Sequence, residues 1–180
     1  MIQIRIHGRG GQGVVTAAEL IAIAAFKDGK QTQAFPSFGV ERTGAPIESF
    51  VRIDNEFIKT REHIYNPDVL IVQDASLLDT VDVSRGCGSK TVAIINTSKT
   101  KKNLNLNLPE NNIYTVDATK IALEIIKKNI VNTVILGAFA KITGLISLDG
   151  LKKAIQQKFS AKGIDVINKN IKAVTKSYNF

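Results

Sequence analysis

Apolar and polar residues alternate with a period of two at the start of the chain: Ile2, Ile4 and Ile6 against Gln3, Arg5 and His7. Side chains two apart share one face of a strand, so this stretch predicts a β-strand with one face toward a core. From Val14 the period changes. Ala17, Leu20, Ile21, Ala24 and Ala25 recur at helical spacing and run into Asp28-Gly29, a natural helix stop. Lys30–Phe35 predicts a second strand and Pro36–Pro46 a turn-rich segment. Ile47–Ile53 predicts a third strand, with Glu48 and Arg52 on its polar parity. Val69–Val72 and Thr91–Ile95 are continuous apolar runs ending in Gln73-Asp74 and Asn96-Thr97-Ser98, the pattern of strands buried on both faces of a parallel sheet. Ile113–Val116 predicts a last strand closing on Asp117, which begins a helix through Lys128. From Asn132 to the end the chain reads as helical, broken at Gly144, Gly150 and Gly163. Strands alternating with helices predict an α/β fold. We expect an open, mostly parallel sheet flanked by helices on both faces, a Rossmann-like three-layer sandwich made by a single domain over residues 1–180.

Composition narrows the chemistry. The chain is 44% hydrophobic and 22% charged, which places it among globular proteins with a substantial core. Its two most apolar stretches, Ala17–Phe26 and Thr133–Leu148, contain Glu19 and Lys141 and fall short of the ~20 apolar residues that span a bilayer. No charged segment followed by an apolar one opens the sequence, so a cytoplasmic protein is expected. Cys87 is the single cysteine, which excludes an internal disulfide and a four-cysteine iron–sulfur site. His7 and His63 have no metal-ligand spacing around them. The formal charge is +8, but the lysines are spread thinly and lack interleaved aromatics. The densest patch, Lys99-Thr100-Lys101-Lys102, leads into a polar surface loop at Asn103–Asn112. That is a solvated surface rather than a nucleic-acid site, though a basic surface attracts an anionic ligand or an acidic partner.

Between the first strand and first helix lies Gly8-Arg9-Gly10-Gly11-Gln12-Gly13, with Gly8, Gly10 and Gly13 in G-x-G-x-x-G spacing. Bare backbone at the start of a helix lets an anion approach free N–H groups. Gln12 adds an amide at the tip. A dinucleotide site also needs a carboxylate about 20 residues further on, at the end of the second strand. The second strand ends instead in Gln33-Ala34-Phe35-Pro36, with Asp28 before it and Glu41 well beyond it. The cofactor half of the fingerprint is missing.

In its place stands Phe35-Pro36-Ser37-Phe38-Gly39-Val40-Glu41-Arg42-Thr43-Gly44-Ala45-Pro46, an unusual loop at the carboxyl end of a strand beside the glycine loop. Open α/β sheets bind ligands at that edge. Arg42 offers a planar fork for phosphate or carboxylate, and Ser37 and Thr43 supply hydroxyls. Asp74 and Asp117 each close a predicted strand, Asp117 as a helix N-cap. His7 reads as hydrogen-bonded structure. Cys87, beside Arg85, reads either as a thiolate favoured by that arginine or as part of a surface loop.

Gly8–Gly13 followed by Val14-Val15-Thr16-Ala17, then Pro36–Pro46 and Phe50-Val51-Arg52-Ile53, resembles the gamma subunit of 2-oxoacid:ferredoxin oxidoreductases, the pyruvate branch above all. The resemblance continues through Pro67-Asp68-Val69-Leu70 and Asn132–Ala138, nearly the whole chain. Thr43 departs from it, since many relatives carry a second arginine there. The resemblance implies a complex that converts pyruvate and coenzyme A to acetyl-CoA and carbon dioxide while reducing ferredoxin. It further implies thiamine diphosphate between alpha and beta subunits and iron–sulfur clusters on a delta subunit. This chain carries no Gly-Asp-Gly thiamine motif, and its only Asn-Asn pair is Asn111-Asn112. It is therefore expected to be an accessory subunit, not catalytic alone. In fused relatives the corresponding domain helps enclose coenzyme A. By that resemblance the coenzyme-facing candidates are Gly10, Gly11, Gln12, Gly13, Ser37, Arg42, Thr43 and Gly44. A stand-alone dinucleotide-binding oxidoreductase and a pure scaffold subunit are the alternatives.

Overall fold

The computed structural model describes residues 1–37 and 43–180. Its six strands are β1 (Ile2–Arg9), β2 (Gln31–Pro36), β3 (Pro46–Asp54), β4 (Val69–Val72), β5 (Val92–Asn96) and β6 (Ile113–Val116). They form one sheet in the order β2-β3-β1-β4-β5-β6. The α-helices are α1 (Val14–Lys27), α2 (Ala118–Ile125), α3 (Val131–Thr143), α4 (Leu148–Lys158) and α5 (Ile164–Tyr178). Strands β1, β4, β5 and β6 run parallel, as expected. β3 is antiparallel to both β1 and β2. The link from β2 to β3 is residues 37–45, shorter than the dozen or so residues a parallel crossover needs, so the two strands form a hairpin.

Strand parity divides the core. Ile4, Ile6, Val51, Val69, Ile71 and Ile94 pack in one cluster with buried residues of all five α-helices. Leu70, Val72, Ala93, Ile95 and Ile113 point the other way, toward Leu77 and Val83. Both faces are covered, but unequally. The second layer is a short 3-10 helix, Ala75–Asp79, with loops that bring in Leu104, Leu106 and Leu108. The segment expected to be a polar surface loop at 103–112 thus turns its leucines inward.

The polar parity of β1 is not solvent-facing. Arg5 and His7 are almost as fully buried as Ile4 and Ile6. Arg5 donates to the carbonyls of Ile64 and Tyr65 from one amino group and to those of Val83 and Arg85 from the other. One guanidinium therefore straps two loops onto the second face, where the sheet has no helix to satisfy such groups.

The helical half has α3 at its centre, with every residue from Val131 to Ala140 buried. A helix that is apolar all round is enclosed by neighbours. Gly137 makes this possible: a Cβ there would lie 2.2 Å from the Val174 carbonyl of α5. Gly144 ends α3 and Gly163 precedes α5, as the sequence predicts. Gly150 does not break the chain. It sits in the first turn of α4, donating its N–H to the Ser147 cap at 2.8 Å, and its missing side chain leaves room for Asp28 at the end of α1.

Candidate functional site

The glycine loop and the segment before β3 meet at one edge of the sheet, because β1 ends where its antiparallel neighbour β3 begins: Arg9 is opposite Pro46. Gly10 donates its N–H to the Ala45 carbonyl at 2.8 Å, and Gly44 donates back to Gly10 at 3.0 Å. Arg9 adds a bond to the Gly44 carbonyl at 3.1 Å. The two motifs are thus one structure. Thr43 and Gly44 are exposed at this seam, and Ser37 donates its N–H to Glu48 at the head of the hairpin. Arg42 and its neighbours 38–41 lie outside the described residues.

Not all of the loop's donors are available to a ligand. The N–H groups of Gly10 and Gln12 are taken by Ala45 and Arg9 carbonyls. The Gln12 side chain folds back, its Oε1 accepting from the Arg9 N–H at 2.8 Å and its Nε2 donating to Asp74 at 2.9 Å. Gln12 is a brace rather than a free amide at the tip. Among the described residues no acceptor meets the N–H groups of Gly11, Gly13 or the first turn of α1, Val14–Thr16. Gly13 caps that helix in the left-handed region, at φ 72°, with no side-chain cap and no acidic residue in the first turn. A helix start of this kind presents partial positive charge to an anion.

Two close approaches explain the glycine spacing. A Cβ on Gly8 would lie 2.5 Å from Val14 Cγ2, so Gly8 is what lets α1 pack against β1. A Cβ on Gly13 would lie 2.4 Å from Asn132 Nδ2, whose amide donates to the Gly13 carbonyl at 3.2 Å. Asn132 belongs to α3, far along the chain, and no local signal marks it as a partner.

Asp74 organises the edge. It accepts from Arg9 Nε at 3.2 Å, Gln12 Nε2, the Ser76 hydroxyl at 2.6 Å and the Ser76 N–H at 3.0 Å. Burial pushes its carboxyl up, but the bonds from Ser76 and Gln12 and the charge of Arg9 outweigh this and hold it below the ordinary carboxylate range. Asp117 caps α2 by accepting from Lys120, as expected. Behind the edge, His7 is sealed on the second face: burial and the charges of Arg5 and Arg85 lower its pKa to about 3. Its Nε2 accepts from Arg5 Nε at 3.1 Å, so the proton is on Nδ1, 3.7 Å from Glu48. His7 is a structural acceptor, not an acid–base group. Cys87 is half-buried, and burial pushes its thiol up, which removes the thiolate reading.

Two cavities adjoin the loop and a third lies further along the same sheet edge. One of about 310 Å³ lies between the loop and Lys158, Phe159 and Lys162. A second, about 270 Å³, lies over the carboxyl ends of β4 and β5, and a third, about 520 Å³, lies beyond Thr119. No helix among the described residues is long and apolar enough to cross a membrane.

Comparison with known proteins fits this geometry. The chain is 54% identical over 156 residues to pyruvate synthase subunit PorC of Methanosarcina barkeri, covering 87% of this chain and 85% of that one. It is 51% identical to the pyruvate/ketoisovalerate oxidoreductases common subunit gamma of Thermococcus kodakarensis, over 99% of this chain and 96% of that one. The crystal structure of pyruvate oxidoreductase subunit PORC from Thermotoga maritima superposes with a TM-score of 0.84 at 38% identity, covering 99% of this chain and 95% of that one. Residues 3–180 match the family model described as pyruvate ferredoxin/flavodoxin oxidoreductase, and the chain belongs to that family.

Proposed function

We propose that this chain is the gamma-type accessory subunit of a pyruvate:ferredoxin oxidoreductase and that the edge built from its two loops faces coenzyme A. The accessory role rests on relatives of matching length that carry the gamma or PorC name. The chain is one subunit of a multi-subunit 2-oxoacid oxidoreductase, and a stand-alone dinucleotide enzyme is set aside. Its partners are then alpha and beta subunits that hold thiamine diphosphate between them, and a delta subunit whose clusters pass electrons to ferredoxin. The assembly works in the cytoplasm.

One observation carries the coenzyme reading: the mutual hydrogen bonds between Gly10 and residues 44–45, which set both motifs beside the uncapped start of α1. A polyanionic substrate suits that field, and a subunit of formal charge +8 favours its approach. Gly11, Gly13 and the first turn of α1 supply N–H groups. Arg42 supplies a fork for a phosphate, and Ser37 and Thr43 supply hydroxyls. Gly10, Gln12 and Gly44 hold the arrangement rather than touch the substrate. In the assembled complex, Arg42→Ala is expected to raise the apparent KM for coenzyme A about tenfold or more, the scale of a hydrogen bond to a charged group. An unchanged value would return both loops to a purely docking role.

A further inference from the structure

Gln73 directly follows β4 beneath the glycine loop, 2% exposed, and neither the oxygen nor the nitrogen of its carboxamide has a hydrogen-bond partner among the described residues. Leaving both ends of a buried amide unpaired is costly, so such a group points to something that completes it. Gln73 lines the cavity of about 270 Å³ at the carboxyl ends of the parallel strands. The other groups there are spent or neutral. Asn96 donates to the Gln73 carbonyl and to Thr119 Oγ1, both at 2.9 Å, and Asp74 is saturated by Arg9, Gln12 and Ser76. The cup thus has one unpaired donor–acceptor pair buried at its wall, in an amide-lined, weakly charged setting.

Its surroundings differ. Gln12 and Asn129 line both this cup and the neighbouring cavity of about 310 Å³, so the two adjoin across the glycine loop. That neighbour brings together Gly11, Gly13, Thr16 at the start of α1, and Lys158 and Lys162. Lys158 is paired with Glu19 at 2.6 Å, while Lys162 lies over the Phe159 ring. A neutral cup that needs a donor and an acceptor side by side, joined to a basic helix start, matches a nucleotide: base in the cup, phosphates at the helix.

We infer that the strand-end cup is a nucleotide-base subsite in which the Gln73 carboxamide pairs with the edge of an adenine, the phosphates lying against the first turn of α1. A carboxamide satisfies adenine through N6 and N7 together. The adenine nucleotide is either free or the nucleotide end of coenzyme A. Only the second source rests on the coenzyme reading above.

The test is calorimetric titration of the full chain with ADP, with inorganic pyrophosphate and with pantetheine. ADP is expected to bind, pyrophosphate more weakly, and pantetheine not at all. Gln73→Leu, which fills the space without the amide, is expected to weaken ADP about tenfold or more while leaving pyrophosphate unchanged. In case that variant folds poorly, hydrogen exchange on the unaltered chain gives a second readout, with ADP protecting residues 73–76 and 119–120. Absence of ADP binding at millimolar concentration, or protection confined to residues 43–45, would overturn the subsite and leave fixed water as the partner of Gln73. In the assembled complex, competition of ADP against coenzyme A identifies the coenzyme as the source, and ADP binding without competition identifies free nucleotide. Loss of the Arg42 effect with ADP binding intact would remove the coenzyme reading alone.

Discussion

His7 is a neutral acceptor locked under Arg5, and this has a measurable sign. Its folded pKa, about 3, lies below the ordinary histidine value of 6.5, so the unfolded chain takes up a proton first as the pH falls. Stability from this residue is complete above about pH 6.5 and is lost on acidification toward pH 3, by up to ~1.4 kcal/mol per pH unit. Urea unfolding at a series of pH values is expected to show that slope, and His7→Gln to flatten it. Asp74 acts in the same direction at still lower pH, since its carboxyl is also held down. Gly13 gives a second test at this scale. Gly13→Ala must hold alanine at a left-handed φ of 72° against the Asn132 amide. We expect a loss of about 1–3 kcal/mol in the urea midpoint analysis. That a glycine was required there is legible in the sequence. That Asn132 fills the space is not, because the two are 119 residues apart and only the fold joins them.

Elements with a strong period read well from the sequence. The alternation in β1 and the helical spacing of α1 each locate their element, and the continuous runs at 69–72 and 91–95 become strands buried on both faces, the second one residue later, as Val92–Asn96. The second layer has no long period to read, and its one clear alternation, Leu104-Asn105-Leu106-Asn107-Leu108, forms no strand. Its apolar groups, Leu77, Val83 and the alternate leucines 104, 106 and 108, sit in short turns whose polar neighbours hide them. Arg5 and Gly150 mislead for a related reason: each looks like a surface or breaking residue until the element packed on it is known. Arg5→Met removes the strap and leaves carbonyls of two loops without a donor. We expect a loss of roughly 3 kcal/mol or more, and faster proteolysis at residues 64–65 and 83–87. Gly137→Ala forces α3 and α5 apart at their closest approach. A loss of ~1–3 kcal/mol in thermal unfolding is expected, with the sheet side unaffected in hydrogen exchange.

The chain belongs to an oxidoreductase family, yet its sequence holds no thiamine motif and only one cysteine. The purified chain alone is expected to form no acetyl-CoA from pyruvate, and activity is expected to appear when the partner subunits are added back. That the two motifs meet at one sheet edge is legible in the sequence. The contacts of Asp74, Asn132 and Gln73 are not, since the sequence marks these residues only as strand end or helix start and their surroundings come from the fold. The hairpin made by β2 and β3 has one more consequence. Because residues 37–45 join antiparallel neighbours at the margin of the sheet, the length of that link does not set the strand order. Lengthening that link is therefore expected to leave strand order and the helical core intact, a point that circular dichroism and thermal unfolding of an insertion variant would check.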